Sequence, residues 1–258
     1  MKLFILALFV SFTSYAQAFT IFEINESPGA PTFFDNEHIL TWGQDNLLGE
    51  PTTVSYSFAE SDYACHHGNG ACFSLDTFMD PGYQNVITSA FDTWASVSNL
   101  TFNQVNNLEG DIVLGGEYII NLFNNETAHA VTRYETFDNN VYSFSYIEPS
   151  AIHFNKQMKW SIDAPELGEI DLFSIALHEI GHSLGLGHSS VEEALMYPYY
   201  SGVNTLHADD IAGIQFLYGS VSAVPEPSTS ALFLLGTLMI LGYHRRKFSI
   251  NQTTSSMN

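Results

Sequence analysis

Polar and apolar residues alternate along Thr53-Val54-Ser55-Tyr56-Ser57-Phe58, as in a strand with one buried face. Past Asp80-Pro81-Gly82 the period changes: Val86, Ile87, Ala90, Phe91, Trp94 and Val97 recur at steps of three and four, which predicts an amphipathic helix over 82–98. Strand patterns return at 100–105 and 111–114, with a turn about Asn106-Asn107, and again at 128–134, 141–147 and 151–154. Asp171 is a good N-cap for a second long helix running through Leu184. Upstream of all these, Pro28, Gly29, Pro31, Gly43 and Gly49 make 19–50 an irregular lead-in. No fixed-period repeat is visible. A few strands, two long helices and one core suit a single α/β-type domain of about 170 to 200 residues.

The two ends read as addresses. Lys2, an apolar run over 3–10 and Ala16-Gln17-Ala18 describe a secretory signal peptide, 1–18, cut after Ala18. At the other end, Val224-Pro225-Glu226-Pro227-Ser228 leads into an apolar stretch, 231–243, and then His244-Arg245-Arg246-Lys247. The stretch is near the short limit for a bilayer span, roughly 17 to 25 residues, and the basic cluster would act as a stop on the cytoplasmic side. This order resembles the PEP-CTERM sorting tail of Gram-negative bacteria, which implies cutting by an inner-membrane exosortase and release or re-anchoring outside. An ordinary single-pass anchor is the alternative. Both readings place the globular part beyond the cytoplasm, with at least a transient membrane tether. The expected organisation is a signal peptide (1–18), lead-in (19–50), main globular domain (51–219), linker with the Pro-Glu-Pro motif (220–228), apolar segment with its basic stop (229–247) and tail (248–258).

Of 258 residues, 28 are acidic and seven basic, and between 19 and 224 only Arg133, Lys156 and Lys159 carry a positive charge. Such a chain has almost nothing to replace the counterions of a phosphate backbone, so nucleic acid is excluded as a partner. The acidic field favours solubility and accumulates cations. The cysteines, Cys65 and Cys72, flank a short Gly-containing loop; in an exported chain they read as a disulfide, with a zinc site using His66 or His67 as the alternative.

The strongest chemical signal lies on the second helix. His178 and His182 are four residues apart, so they share one face a turn apart, near enough to bind one ion, with Glu179 beside them. Gly185 can take positive φ and end the helix, letting Leu186-Gly187 turn back and bring His188 to the same ion. Three neutral imidazoles leave one tetrahedral position open, which separates a catalytic zinc from a closed structural one. A lone His-Glu-x-x-His also occurs by chance as a solvated polar stripe. Here the pattern continues through Ala194-Leu195-Met196-Tyr197-Pro198.

The segment resembles a metzincin zinc peptidase and, within that clan, a matrixin. Ser189 follows the third histidine, Met196-Tyr197-Pro198 has no tyrosine two places after the methionine, and 206–219 resembles the closing matrixin helix. The likeness runs from about Val54 to Gly219 and is strongest from Asp171 onward. It implies a zincin-like α/β (α+β) fold: a twisted, mostly parallel sheet with an antiparallel edge strand, an active-site helix and a C-terminal helix. It further implies catalytic Zn2+ on His178, His182 and His188, Glu179 as general base, and Met196 in a turn beneath the metal. Pro198 and Tyr200 would line the pocket for the side chain after the cut bond, and an edge strand at Ala128-His129-Ala130 would pair with an extended peptide substrate. Animal matrixins carry a second, structural zinc; His129 and His153 fall where two of its ligands would be, although the usual His-x-Asp upstream is missing. Structural Ca2+ suits the acidity, but no oxygen-ligand loop can be named. Residues 19–50 hold no cysteine, so latency through a propeptide thiol is not expected.

Two functions follow. One is an exported zinc endopeptidase acting on extracellular, envelope or biofilm protein. The other is a metal-bearing surface or matrix protein that binds without cutting.

Overall fold

The computed structural model describes residues 41–42, 48–64, 71–119, 127–138 and 143–221. The chain divides into two units, Met1–Val221 and Ser222–Asn258, and every described residue belongs to the first. The expected signal peptide, the apolar segment 229–247 and Cys65 lie outside the described residues. Among the described residues, no helix is long and apolar enough to cross a membrane.

In chain order the elements are β1 (Thr52–Phe58), a hairpin of β2 (Tyr63–Ala64) and β3 (Ala71–Cys72), α1 (Tyr83–Val97), β4 (Leu100–Gln104) and β5 (Ile112–Glu117). There follow β6 (Ala128–Asp138), β7 (Ser143–Asn155), β8 (Trp160–Ser161), β9 (Ile170–Asp171), α2 (Leu172–Ser183) and α3 (Ala208–Tyr218). The main sheet runs β4-β1-β5-β7-β6. Its pairings are parallel except the last, where β6 lies antiparallel to β7 at the edge. This is the mostly parallel sheet with an antiparallel edge strand that the sequence implies.

The stretches 141–147 and 151–154, read from sequence as two strands, form one continuous strand, β7. The reason is local. Proline cannot donate to a ladder, so Pro149 reads as a break. The register moves from Val131↔Ala151 to Arg133↔Glu148, giving β7 one residue more than β6 over that step. A bulge therefore absorbs the proline without ending the strand.

Alternation in β1 buries Val54, Tyr56 and Phe58. The α1 stripe of Ile87, Ala90, Phe91 and Trp94 is wholly buried. Tyr56 stacks on Phe91 with centroids 4.1 Å apart, and the Trp94 indole N–H donates to the Leu177 carbonyl at 2.9 Å, tying α1 to α2. Residues ahead of position 51 also take part in the core. Trp42 is buried, donates from its indole to the Ser183 carbonyl at 2.8 Å, and from its backbone N–H to the Tyr218 hydroxyl at 3.2 Å. The end of α2 is thereby fixed from outside, close to His178 and His182.

Candidate metal centre

Helix α2 starts as its sequence demands: the Asp171 carboxylate accepts from the Phe173 N–H at 3.1 Å, filling an orphan donor of the first turn. Its end is a Schellman turn. Gly185 takes φ +98°, its N–H donates to the His182 carbonyl at 3.0 Å, and the Leu186 N–H reaches back to Gly181, also at 3.0 Å. This turn places the Leu186 carbonyl 2.8 Å from His182 Nδ1. His178 Nδ1 meets the Leu195 carbonyl at the same distance. A neutral imidazole has one N–H, and a carbonyl only accepts, so both rings carry hydrogen on Nδ1 and turn a bare Nε2 inward.

One ring nitrogen from each of His178, His182 and His188 lies within 4.8 Å of the others, and the Nε2 atoms of His182 and His188 are 3.2 Å apart. Ring centroids stand 4.7, 5.5 and 4.7 Å apart around the triangle. Zinc–nitrogen bonds of 2.0–2.1 Å in a tetrahedron separate the ligand atoms by about 3.4 Å, so the donors are close to the required spacing. Protonation is also suitable. Burial pushes His178 down to about 4, with the Leu195 carbonyl opposing, and holds His182 well below the ordinary value and His188 below it. All three rings are then neutral at pH 7, as metal ligands must be. Glu179, next to His178, is 7% exposed.

The Met196 turn lies against this centre. Met196 is buried, its carbonyl accepts from Ser189 N–H at 2.8 Å, and its sulfur fills the space a side chain at Gly181 would need: a Cβ there would stand 2.5 Å from Met196 Sδ and 3.0 Å from Trp94 Cζ2. Gly181 is the position of α2 where the methionine comes up against the helix. The turn is clamped by Asp210, a residue the sequence reading missed. Its carboxylate accepts from the N–H groups of Leu195 (2.9 Å), Met196 (3.0 Å) and His207 (2.7 Å). Neighbouring Asp209 takes the Ser189 hydroxyl at 2.5 Å. The signal was present as Asp209-Asp210 at the start of α3, where acidic residues are common for helix-capping reasons alone.

Other sequence-selected residues are placed as follows. Pro198 and Tyr200 are exposed beyond the Met196 turn, with the Tyr200 hydroxyl accepting from the Asp171 N–H at 3.4 Å. Ala128 is buried and Ala130 half-buried on β6, the sheet edge. Cys72 has no free thiol. His129 and His153 face each other across β6 and β7, with Glu117 Oε2 beside both.

An α/β domain whose helix and following turn converge three neutral imidazoles, with a carboxylate next to the first, has the donor set of a divalent-metal centre. The matrixin family profile matches residues 76–219, over half of the chain, and this chain belongs to that family. A PEP-CTERM protein-sorting motif matches 223–247. The chain is similar to karilysin of Tannerella forsythia (30% identity over 240 residues, 89% of this chain and 44% of the relative). It is also similar to interstitial collagenase B of mouse (38% over 148 residues, 53% of this chain, 28% of the relative) and metalloendoproteinase 5-MMP of Arabidopsis thaliana (35% over 150 residues, 53% and 39%). It spans less than half the length of each of these three relatives.

Proposed function

We propose that this chain is an exported zinc endopeptidase that cuts protein or peptide substrates outside the cytoplasm. The observation that carries this is the inward convergence of three neutral imidazoles beside Glu179, each of the two helical rings held by a backbone carbonyl. Zinc bound there would supply a Lewis acid to polarise the scissile carbonyl and acidify water.

The chain's own residues do the rest. His178, His182 and His188 would hold the ion with their lone pairs. Glu179 takes the attacking water's proton and delivers it to the amine nitrogen as the C–N bond breaks. The outer side of the β6 edge at 128–131 pairs with an extended substrate, and Pro198 and Tyr200 border the pocket for the residue after the cut. Residues 1–18 direct export, and an exosortase-type enzyme processes the tail after a transient membrane tether at 229–247. Cys72 pairs with Cys65 in that oxidising compartment.

Glu179→Ala tests the reading. It should retain zinc while cleavage of casein or gelatin falls about 10²- to 10⁴-fold. Unchanged turnover would remove Glu179 from its role. If the folded, zinc-loaded wild type left a peptide library intact, the binding-only function would stand in place of the peptidase.

A further inference from the structure

The chain leaving the Met196 turn carries three tyrosines within four residues, Tyr197, Tyr199 and Tyr200. They are not used alike. Tyr200 reaches back to the start of α2, where its hydroxyl accepts from the Asp171 N–H at 3.4 Å. Tyr199 is 73% exposed, and its ring meets that of half-buried Tyr197 edge-on, with centroids 5.7 Å apart and planes at 65°. The pair braces Tyr199 from one side and leaves most of its π-surface to solvent. The segment that presents it is tied down at both ends. The Tyr197 N–H donates to the Ala194 carbonyl at 3.2 Å, and the Ser174 hydroxyl on α2 donates to the Val203 carbonyl at 2.5 Å. A large ring held out on fixed backbone beside the metal centre offers contact area at little cost in side-chain entropy.

Charge selects what the ring would meet. From Trp160 to Val221 the sequence has no Lys and no Arg, against nine Asp and Glu. Asp171, Glu179, Asp209 and Asp210 are buried. Asp163, Glu166, Glu192 and Glu193 are exposed and Glu169 is half-buried, so their field reaches solvent uncompensated by this stretch of chain. Glu193 is four residues ahead of Tyr197 and therefore within about 14 Å of it. An ammonium or guanidinium gains twice here, from the carboxylates and from the aromatic face. A carboxylate would be repelled, and an apolar side chain would gain the ring alone. Lys156 shows the same contact within the chain, its ammonium 3.8 Å from the Phe73 ring centroid.

We propose that Tyr199, braced by Tyr197, is a specificity-determining residue that takes a Lys or Arg side chain of the substrate downstream of the cut bond, with Glu192 and Glu193 supplying attracting charge. The substrate class is then cationic protein or peptide. This rests on the peptidase reading, because it takes Pro198 and Tyr200 as the border of the pocket for the residue after the cut. Tyr199 stands between them in the chain. An extended substrate advances about 3.3 Å per residue, so the ring is within reach of the next one to three residues.

Peptides carrying Lys, norleucine, phenylalanine or Glu at the second, third or fourth position after the cut bond test this. With zinc-loaded wild type at low salt, kcat/KM should favour Lys over norleucine by about 10-fold at one of these positions, through KM, and Glu should be poorest. The ratio should shrink about 2- to 5-fold in Tyr199→Leu and persist in Tyr199→Phe, which keeps the aromatic face. In Glu192→Gln/Glu193→Gln it should fall mainly at low salt, where charge is unscreened. Thermal melting establishes that each variant is folded. The same peptides with a neutral fluorophore, bound to zinc-loaded Glu179→Ala, give the ratios as Kd without turnover. Lys-selective binding that Tyr199→Leu weakens, with no cleavage by wild type, would refute the peptidase reading and uphold the cation contact. A Lys-to-norleucine ratio near one at every position, or one that Tyr199→Leu leaves unchanged, would overturn the proposal and leave the peptidase reading intact. Preference for norleucine or phenylalanine over Lys would overturn it as well, making Tyr199 an apolar contact.

Discussion

Asp210 and His178 are joined through a single residue: the Asp210 carboxylate accepts from the Leu195 N–H at 2.9 Å, and the Leu195 carbonyl meets His178 Nδ1 at 2.8 Å. The His178 ring on α2 is thus aimed by a carboxylate on α3, and the Met196 turn is the lever between them.

Asp210→Ala should therefore loosen zinc as well as the fold. It strands three N–H groups, at about 1–3 kcal/mol for each one left unsatisfied and buried. Zinc affinity should fall about 10- to 100-fold in competition with a chromophoric chelator. A variant with reduced thermal stability and wild-type zinc affinity would show that the lever does not reach His178.

Gly181→Ala places a methyl group against Met196 Sδ and Trp94 Cζ2. Helix propensity alone would favour alanine by about 1 kcal/mol. Overpacking costs about 1–3 kcal/mol and should win, giving a net loss in urea denaturation. Combining it with Met196→Ala should cost less than the sum of the two single changes, and simple additivity would mean the clash is relieved elsewhere.

Stability of the metal-free protein should fall with acid. His178 titrates near 4 when folded against about 6.5 when unfolded. Between those values the unfolded chain binds a proton that the native one does not, so this contribution is intact above pH 6.5 and lost on the way to pH 4. His182 acts in the same direction. Asp210, raised chiefly by burial, acts in the opposite one. The histidine part is read as the difference between wild type and His178→Phe, melted at pH 7.5 and 4.5; a difference independent of pH would refute it.

Trp42→Ala should destabilise by about 3–5 kcal/mol, as a buried tryptophan does. Chemical denaturation of this variant, beside a chain starting at residue 51, tests whether the lead-in belongs to the folding unit. Equal stability of wild type and the shorter chain would show that it does not.

The α2 centre was legible because helical periodicity and one glycine encode it within eleven residues, His178 to His188. The parallel sheet and its edge strand followed from the family resemblance. What sequence reading missed depends on distant strands and turns. Asp210 looked like a capping residue because its partners, Leu195 and Met196, come from a separate turn. Glu117 carried no motif, since it reaches His153 only through the parallel register of β5 on β7. Trp42 sat amid glycines and prolines that mark irregular chain, and its burial required the end of α2 to be in place. Pro149 suggested a break that a bulge removes.

The Schellman turn at Gly185-Leu186 makes the aim of His182 self-contained: helix, stop and guiding carbonyl travel together as one cassette. Transplanted into a foreign scaffold, that cassette would deliver His182 ready-pointed, while His178, whose guide comes from Leu195, would swivel. A designer borrowing this centre therefore has to import two pieces of chain, and the second is the humbler-looking one.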